Sequence, residues 1–281
     1  MTTVGNLLTQ ATIVLQKAGI ETARLDTTIL LEDCSGKDRA WLLSHDETLL
    51  DSKIEQKFKK LLTRRAAHEP LAYIRGKCEF YGREFVLTPA VLQPRPESET
   101  LIDLLKEYMR YGLPSIPKSR KVRIADVGTG SGALGITAAL ELPNCLLELL
   151  EIDKRAAKVA KTNVDLFTLN ISIIISDLLS ASSKDYDVLL CNLPYVPDDY
   201  HINLAALHEP RLAIFGGKDG LNIYRKLFKQ IKLSPHKPLL ILTESLPPQH
   251  NFLKIVAEDA GYRQLKSIDF IQVFGSLQYG K

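Results

Sequence analysis

The sequence predicts an α/β protein, with a doubly wound parallel sheet that ends in an antiparallel pair. A small N-terminal helical bundle and a bridging β-hairpin precede this sheet. Apolar residues near the start follow helical spacing, while the rest of the chain alternates short β-rich runs with helical patterns. A glycine-rich turn between one such run and the next helix is typical of α/β sheets that bind ligands at their edge.

The composition is that of an ordinary globular protein. The chain has 281 residues, of which 45% are hydrophobic and 25% charged, and its net charge is only +3. These values argue against a disordered chain, a collagen and a highly basic nucleic-acid binder. At roughly 150 residues per domain, the length predicts about two domains.

Residues 1–70 are predicted to form an N-terminal helical domain. Apolar residues from Val4 to Ala18 recur at intervals of three and four, and Gly19 ends the pattern. Two further apolar segments, over 25–31 and 54–66, predict two more helices.

Residues 71–90 predict a β-hairpin linker. Short β-type runs occur at 73–74, 78–80 and 85–87, and residues 81–83 have the composition of a turn. A hairpin between two domains fits this pattern.

The remaining segment, 91–281, predicts the α/β domain. A helix over 97–109 and a loop over 112–121 come first. The alternating pattern then predicts strands at 122–127, 146–151, 171–175, 187–191 and 239–243, with helices at 132–140, 156–166, 221–231 and 251–260. The tail, 262–279, predicts the terminal antiparallel pair.

The sequence gives no indication of membrane insertion, export or metal binding. No stretch approaches eighteen uncharged apolar residues, and the first residues lack the basic and apolar regions of a signal peptide. The four cysteines, Cys34, Cys78, Cys145 and Cys191, are scattered without a CxxC pair. We therefore expect reduced thiols, no metal site and a cytoplasmic location.

The glycine-rich turn, Asp-Val-Gly-Thr-Gly-Ser-Gly at 126–132, joins a predicted strand to a predicted helix. Glycines there let the backbone approach a ligand closely. Their order is not GxGxxG and no Gly-Lys-Ser/Thr follows, so the turn matches neither a dinucleotide fingerprint nor a Walker loop. The pattern resembles motif I of class I S-adenosylmethionine-dependent methyltransferases, which implies that cofactor and a Rossmann-like methyltransferase sheet.

Acidic residues follow the next two predicted strands. Glu151 closes the second strand, where open α/β sheets place a carboxylate that binds ribose hydroxyls. Asp153 is the alternative for this role, although it better suits the N-cap of the next helix. Asp177 and Leu178 follow the third strand, where the methyltransferase pattern places an acid near the adenine amino group and an apolar side chain against the ring. An ordinary loop aspartate is the alternative for Asp177.

Asn192-Leu193-Pro194-Tyr195 follows the fourth strand directly, at the edge where doubly wound sheets bind ligands. It resembles the Asn-Pro-Pro-Tyr type of motif in methyltransferases that act on planar nitrogens, such as adenine amines and glutamine amides. Leu193 stands in place of the first proline. The side-chain oxygen of Asn192 and the carbonyl of Leu193 are candidate acceptors for an NH₂ group, and Tyr195 would cover its plane. A simple strand-end turn is the structural alternative.

Two fixed acceptors suit the chemistry of an amide. Its nitrogen is a poor nucleophile because the lone pair is delocalised. Acceptors that hold the NH₂ group align the nitrogen with the methyl donor and stabilise the positive charge that develops during transfer. Such a site requires no metal and no activated Ser, Cys or His.

Three further segments indicate which family the chain resembles. They are Glu-Pro-Leu-Ala-Tyr-Ile-Arg-Gly at 69–76, Leu-Gln-Pro-Arg-Pro-Glu-Ser-Glu-Thr at 92–100 and Glu-Pro-Arg-Leu-Ala-Ile-Phe-Gly-Gly-Lys-Asp-Gly-Leu at 209–221. In this order, and together with the two motifs above, they resemble the release factor glutamine methyltransferases, the HemK/PrmC family. We expect the charged residues Glu209 and Arg211 to be structural rather than catalytic.

The resemblance implies a cytoplasmic enzyme of translation termination that methylates N5 of the glutamine in the Gly-Gly-Gln (GGQ) motif of class I peptide chain release factors. The N-terminal helical domain would recognise the release factor, and the C-terminal domain would hold the cofactor. The implied cofactor-binding residues are Asp126, Val127, Gly128, Thr129, Gly130, Glu151, Asp177, Leu178 and Asn192. The implied substrate-binding residues are Pro94, Arg95 and Pro96, together with the catalytic set Asn192, Leu193, Pro194 and Tyr195.

Two other functions fit part of the pattern. An N6-adenine methyltransferase acting on DNA or RNA would use the same planar-nitrogen motif, but a net charge of +3 is low for nucleic-acid binding. A non-catalytic protein of this fold would tolerate Leu193. Loss of such a protein's activity would be expected to change Asp126, Glu151 or Asn192 as well, yet all three positions keep side chains that can bind cofactor or substrate. The low net charge and the lack of a long apolar stretch predict no direct contact with nucleic acid or membrane. We also expect the protein to be a monomer.

Overall fold

The computed structural model describes residues 2–110, 113, 116–117, 119–182, 185–277 and 279. The chain divides into two compact units. One runs to Lys77 and includes 202–208, and the other comprises 78–201 and the chain from Glu209 onward. The predicted loop at 112–121 and the end of the predicted terminal pair fall partly outside the described residues.

The described part of the first unit forms α1 (Val4–Lys17), α2 (Ala23–Ser35), α3 (Arg39–Ser44), α4 (Ser52–Ala66) and α5 (Leu71–Arg75). The three helices expected from apolar spacing are therefore present as α1, α2 and α4. The Thr3 hydroxyl caps α1 by accepting a hydrogen bond from the Asn6 amide over 3.3 Å. The left-handed Gly36, with a φ of 68°, ends α2. Leu30 and Phe58 lie in the fully buried core of this unit.

Residues 73–74 are helical, so the prediction of a β-type run at this position was wrong. They lie in α5, which begins after Pro70 and ends at Gly76 with a φ of 73°. A glycine in the left-handed conformation commonly ends a helix. A helix of five residues is too short for apolar spacing to distinguish it from a strand.

The predicted hairpin is formed by β1 (Lys77–Phe80) and β2 (Arg83–Val86), which make a two-stranded sheet. Tyr81 and Gly82 connect the strands, and both have positive φ, 53° and 68°. Two such residues match the turn that suits the twist of adjacent antiparallel strands.

The second unit is built on a seven-stranded sheet in the order β5-β4-β3-β6-β7-β9-β8. The strands are β3 (Arg123–Val127), β4 (Leu146–Glu151), β5 (Ser172–Ile175), β6 (Val188–Cys191), β7 (Leu240–Glu244), β8 (Tyr262–Ile268) and β9 (Ile271–Ser276). Strands β3 to β7 are parallel, while β9 is antiparallel to both β7 and β8. The predicted doubly wound sheet with a terminal antiparallel pair is confirmed.

In the described part of this unit, one helix precedes the sheet and five lie between its strands. They are α6 (Glu99–Met109), α7 (Ala133–Glu141), α8 (Lys154–Leu166), α9 (Arg211–Ile214), α10 (Asn222–Leu233) and α11 (His250–Asp259). Short 3₁₀ turns at Pro96–Ser98 and Pro247–Gln249 lead into α6 and α11. In the described ranges, no helix combines the length and apolar character that a membrane crossing requires.

The sheet topology determines where a ligand can bind. The chain winds from β3 through β4 to β5, then returns to β6 on the other side of β3. At such a reversal, the loops that follow the two central strands diverge and leave a crevice at their carboxyl ends. Asp126 of β3 is in register with Leu190 of β6. The glycine turn and Asn192 therefore leave the sheet side by side.

Candidate active site

A pocket in the second unit opens at the carboxyl ends of β3, β4 and β6. Most of the predicted site residues line it: Pro94, Asp126, Gly128, Thr129, Gly130, Glu151, Asp177, Leu178, Asn192, Leu193 and Pro194. The other predicted residues, Val127, Arg95, Pro96 and Tyr195, are not in the lining. The structure therefore brings together residues from five separate segments of the sequence.

The buried carboxylate of Asp126 organises the glycine turn. Its Oδ2 accepts hydrogen bonds from Thr129 Oγ1 over 2.5 Å and from the Gly135 amide over 2.9 Å. Asp126 thereby ties the turn to the first residues of α7. Burial raises the pKa of Asp126 to about 6, although both hydrogen bonds favour the charged form.

The glycines of this turn adopt conformations that other residues rarely reach. Gly128 and Gly130 have φ values of 71° and 57°. Gly130 lines the pocket, and a Cβ on it would meet no atom within 4 Å. A ligand can therefore approach the backbone at Gly130.

Glu151 presents its carboxylate at the pocket next to this turn. Its Oε2 accepts from the Gly130 amide over 2.8 Å, and its Oε1 accepts from the Asp153 amide over 2.9 Å. Burial raises the pKa of Glu151. A carboxylate oxygen has more than one lone pair, so Glu151 can hold the turn and still accept a hydrogen bond from a ligand hydroxyl.

Asp153 also lines the pocket, but it has a separate structural task. Its Oδ1 caps α8 by accepting from the Arg155 amide over 2.7 Å, and its carboxylate forms an ion pair with the Arg155 side chain. These contacts lower the pKa of Asp153. The N-cap expected from the sequence is therefore present. We still expect Glu151, and not Asp153, to accept hydrogen bonds from the ribose hydroxyls.

Leu178 and Asp177 form part of the same wall. Leu178 is buried and has a positive φ of 56°, and its carbonyl accepts a hydrogen bond from Ser176 Oγ over 2.7 Å. The Asp177 carboxylate lines the pocket and also pairs with Lys226 of α10. Leu178 thus presents a fixed apolar side chain, whereas Asp177 already has a cationic partner.

These residues fit the adenosine part of the expected S-adenosylmethionine. The free space at Gly130 accommodates close approach, and the Glu151 carboxylate supplies an acceptor for hydroxyls. Leu134, Ile152 and Leu178 add apolar surface to the pocket. A small set of polar groups on a mainly apolar wall is typical of cofactor sites.

Asn192 is oriented by a network of buried side chains. Its Nδ2 donates to Ser98 Oγ over 2.8 Å, and the Ser98 hydroxyl donates to Glu244 Oε2 over 2.6 Å. Asn192 also hydrogen-bonds to Glu244, and burial raises the pKa of that carboxyl. Because its nitrogen is engaged, Asn192 has its Oδ1 available as an acceptor toward the pocket that it lines.

Tyr195 belongs to this network rather than to the pocket lining. Its hydroxyl donates to Glu244 Oε1 over 3.0 Å, and its carbonyl accepts from Gln249 Nε2 over 2.7 Å. Burial and the neighbouring Glu244 carboxylate raise the pKa of Tyr195, so its hydroxyl stays protonated. The structure thus fixes the tyrosine beside Asn192.

Leu193 packs against the glycine turn. Its side chain is 2% exposed, and its Cδ2 would lie 2.9 Å from a Cβ on Gly128. The close approach between the loops after β3 and β6 therefore depends on a glycine at position 128.

Arg95, which is predicted to bind the substrate, forms an ion pair with Glu209. Its Nη2 donates to Glu209 Oε2 over 2.6 Å, and the Glu209 side chain is almost fully buried. The guanidinium of Arg211 lies 4.3 Å from the centre of the Phe215 ring. Glu209 and Arg211 thus each have a partner within this unit, which is consistent with the structural role that we expect for them.

Sequence reasoning missed Ser98 and Glu244. Ser98 lies inside the 92–100 segment, which contributes to the family resemblance, and Glu244 is the last residue of β7. A polar residue at the carboxyl end of a strand next to β6 was the available signal, because ligand sites of doubly wound sheets lie at that edge.

Family models match both halves of the chain. A model described as PrmC N-terminal domain matches residues 6–76, and one described as Methyltransferase small domain matches residues 110–209. The chain is 34% identical to a release factor glutamine methyltransferase of Koribacter versatilis over 222 residues, which covers 77% of each chain. It is 33% identical to a release factor glutamine methyltransferase of Coxiella burnetii over 248 residues, which covers 87% of each chain.

Solved structures share the fold at lower identity. The hMettl16 catalytic domain in complex with MAT2A 3'UTR hairpin 6 aligns with a TM-score of 0.55 and 15% identity, over 77% of this chain and 81% of that one. The T. thermophilus 16S rRNA N2 G1207 methyltransferase in complex with AdoMet and guanosine aligns with a TM-score of 0.50 and 17% identity, over 71% and 49%. At these identities, the likeness concerns the fold alone.

Proposed function

The chain belongs to the family of release factor glutamine methyltransferases, and on that premise we propose that it methylates N5 of the glutamine in the GGQ motif of class I peptide chain release factors. The methyl donor is S-adenosylmethionine, which supplies a sulfonium methyl group when bound. The products are N5-methylglutamine and S-adenosylhomocysteine.

The observation that carries this proposal is the orientation of Asn192. Its Nδ2 is engaged by Ser98, so its Oδ1 is the atom available to accept a hydrogen bond in the pocket. The carbonyl of Leu193, in the same loop, is the second acceptor that we assign to the substrate NH₂ group. Two acceptors fix the orientation of the amide plane and stabilise positive charge on its nitrogen during transfer.

The cofactor is assigned to the neighbouring wall of the pocket. Glu151 is proposed to accept from the ribose hydroxyls, and Leu178 to contact the adenine ring. The open space at Gly130 lets the cofactor come close to the sheet edge. The acceptor amide and the methyl donor then meet next to Asn192, because the loops after β3 and β6 are adjacent.

The Glu244 carboxylate is proposed to assist methyl transfer indirectly, through the residues that it holds. It accepts hydrogen bonds from Ser98 and Tyr195, and this arrangement holds both residues without contact to the acceptor amide. A negative charge near the reacting nitrogen also favours the cationic transition state. After transfer, the nitrogen releases one proton to solvent.

We assign recognition of the release factor to the N-terminal helical unit, and we propose that the protein acts as a monomer without direct nucleic-acid contact. A net charge of +3 supports the latter assignment. The four free cysteines are consistent with a cytoplasmic location, since reducing compartments keep thiols free.

The test is peptide mass spectrometry on a class I release factor that has been incubated with this protein and S-adenosylmethionine. The control is a factor in which the glutamine of the GGQ motif is replaced. We expect one added methyl on that glutamine and none on the control. Cofactor binding without transfer to the factor would contradict the proposal, and labelled cofactor with adenine-containing nucleic acid would then test an adenine amine as the acceptor.

A further inference from the structure

The hydroxyl of Tyr224 lies among four backbone groups at the carboxyl ends of β6 and β7. It is within hydrogen-bond distance of two carbonyls, 2.9 Å from that of Cys191 and 2.6 Å from that of Glu244. It also accepts from two amides, that of Leu193 over 3.4 Å and that of Glu244 over 3.2 Å. These groups flank Asn192 on both sides and include both polar backbone atoms of Glu244.

The position of this hydroxyl has a clear structural reason. Pairing between β6 and β7 ends at Cys191 and Thr243, so the backbone groups of the two strands that face each other at and beyond this end lack a partner on the opposite strand. A buried peptide group without a hydrogen-bond partner is costly. One hydroxyl can donate once and accept twice, so Tyr224 serves one of the two carbonyls and both amides.

Tyr224 is anchored from the opposite side by the core. It lies on α10, is fully buried and packs with Leu227 and Phe228. Burial raises its pKa well above the usual value, so the hydroxyl remains a neutral donor. It is not in the pocket lining, and it therefore has no contact with a bound substrate.

We propose that Tyr224 is a positioning residue for methyl transfer, fixing Asn192 relative to Glu244 through the backbone that flanks Asn192. The inference rests on the proposed function. It also gives Leu193 a role, because a proline at this position has no N–H to donate. A proline ring would restrain the backbone φ at position 193. In this chain a hydrogen bond from the Leu193 amide to the Tyr224 hydroxyl restrains the backbone instead.

The test compares Tyr224→Phe with Tyr262→Phe. Tyr262 lies in the same core, is 1% exposed, and donates to the Pro238 carbonyl over 2.8 Å, so its variant loses a similar buried hydrogen bond away from the site. We expect Tyr224→Phe to lower kcat on the order of 10-fold, with KM for cofactor and release factor within about 2-fold, because the defect is one of alignment. Tyr262→Phe is expected to keep kcat. Equal kcat losses in both variants, or an unchanged kcat in Tyr224→Phe, would overturn the proposal.

A double-mutant cycle links the effect to the Leu193 amide. In a Leu193→Pro background, that amide hydrogen is absent, so Tyr224→Phe should lower kcat by a smaller factor than in the unmodified chain. Fully independent effects of the two substitutions would show that the Leu193 bond does not contribute and would remove it from the proposal.

Hydrogen exchange gives a readout that does not require activity, and its first measurement uses the unmodified protein. In the unmodified protein, the amides of Leu193 and Glu244 should exchange slowly, and in Tyr224→Phe they should exchange faster, whereas Tyr262→Phe should leave them unchanged. Rapid exchange of both amides in the unmodified protein would overturn the positioning role. If no release factor is methylated but both amides are protected as described, the proposed function fails and the backbone role of Tyr224 stands.

Discussion

Asn192 donates a hydrogen bond from its side-chain nitrogen to the Ser98 hydroxyl over 2.8 Å, although the two residues are 94 positions apart in the chain. An asparagine amide has a donor end and an acceptor end, and a fixed partner for one end determines where the other points. The contact with Ser98 therefore leaves the oxygen of Asn192, and not its nitrogen, available toward the pocket.

The first prediction follows from this contact. Ser98→Ala removes one hydrogen-bond partner of the Asn192 side chain and leaves another, Glu244. The amide is then held less firmly, and its oxygen is correctly placed for a smaller part of the time. We expect kcat to fall on the order of 10-fold, with cofactor affinity nearly unchanged. Steady-state kinetics and calorimetry with S-adenosylmethionine measure the two quantities.

Ser245→Ala is the matched control for this substitution. Ser245 is fully buried and follows Glu244 directly, but its hydroxyl has no hydrogen-bond partner in the described part of the chain. The control should retain normal kcat. If Ser98→Ala also retains it, Asn192 does not depend on Ser98 for its orientation.

The second prediction concerns pH. Burial raises the pKa of Glu244, and its charged form accepts hydrogen bonds from Ser98 and Tyr195. Protonation removes the negative charge, so kcat should decline as the pH falls through this raised pKa. Glu244→Gln should lower kcat on the order of 10-fold and abolish that decline, since glutamine does not titrate. A pH profile of kcat that is identical in shape for both proteins would contradict this assignment.

The third prediction tests the acceptor itself. Asn192→Ala removes the side-chain oxygen that we assign to the substrate amide, so turnover should fall by about 10² to 10³-fold. Cofactor affinity should stay mostly intact, because we assign the ribose hydroxyls to Glu151. Asn170→Ala, at an exposed position, is the control. Unchanged turnover in Asn192→Ala would remove this residue from the mechanism.

The sequence placed those residues at the site whose position follows from the neighbouring strand or helix. The glycine turn stands between a strand and a helix, and Asn192 follows a strand, so doubly wound topology alone brings both to one edge. The different expectations for Glu151 and Asp153 rest on the same topology. A residue at the end of a strand faces the crevice, whereas one at the start of a helix serves as its cap.

The Ser98 and Glu244 contacts were not predictable in this way. They join residues 146 positions apart, and each looks ordinary in sequence: a serine before a helix and a glutamate at the end of a strand. Their roles depend on which strand lies next to β6, and this is a property of the whole sheet. The prediction of a β-type run at residues 73–74 was wrong for a local reason. The helix there has only five residues, which is too few for apolar spacing to distinguish it from a strand.

The fourth prediction separates the two carboxylates near the ribose position. Glu151→Ala removes an acceptor at the pocket and the partner of the Gly130 amide, so we expect cofactor Kd to rise on the order of 10-fold or more. Asp153→Ala should instead cost about 1 kcal/mol of stability through loss of the α8 cap, with Kd nearly unchanged. Calorimetry and thermal unfolding read the two effects. A larger rise in Kd for Asp153→Ala than for Glu151→Ala would move the ribose role to Asp153.

The fifth prediction concerns the stability of the glycine turn. Burial raises the pKa of Asp126 from 3.8 to about 6, so the folded state binds a proton more tightly than the unfolded state does. The protonated Asp126 carboxyl therefore makes its full contribution to the free energy of unfolding below about pH 3.8. This contribution is lost as the pH rises through about 6. By linkage this corresponds to about 3 kcal/mol at most.

Asp126→Asn isolates that contribution. Both hydrogen bonds from Thr129 and Gly135 go to the same oxygen of Asp126, so the asparagine carbonyl can accept both, while the amide does not titrate. Relative to the unmodified protein, the variant should gain stability as the pH is raised from about 5 to about 8. Denaturant unfolding at several pH values measures the difference in the free energy of unfolding. A difference that is independent of pH would mean that the Asp126 carboxyl keeps its ordinary pKa in the folded state.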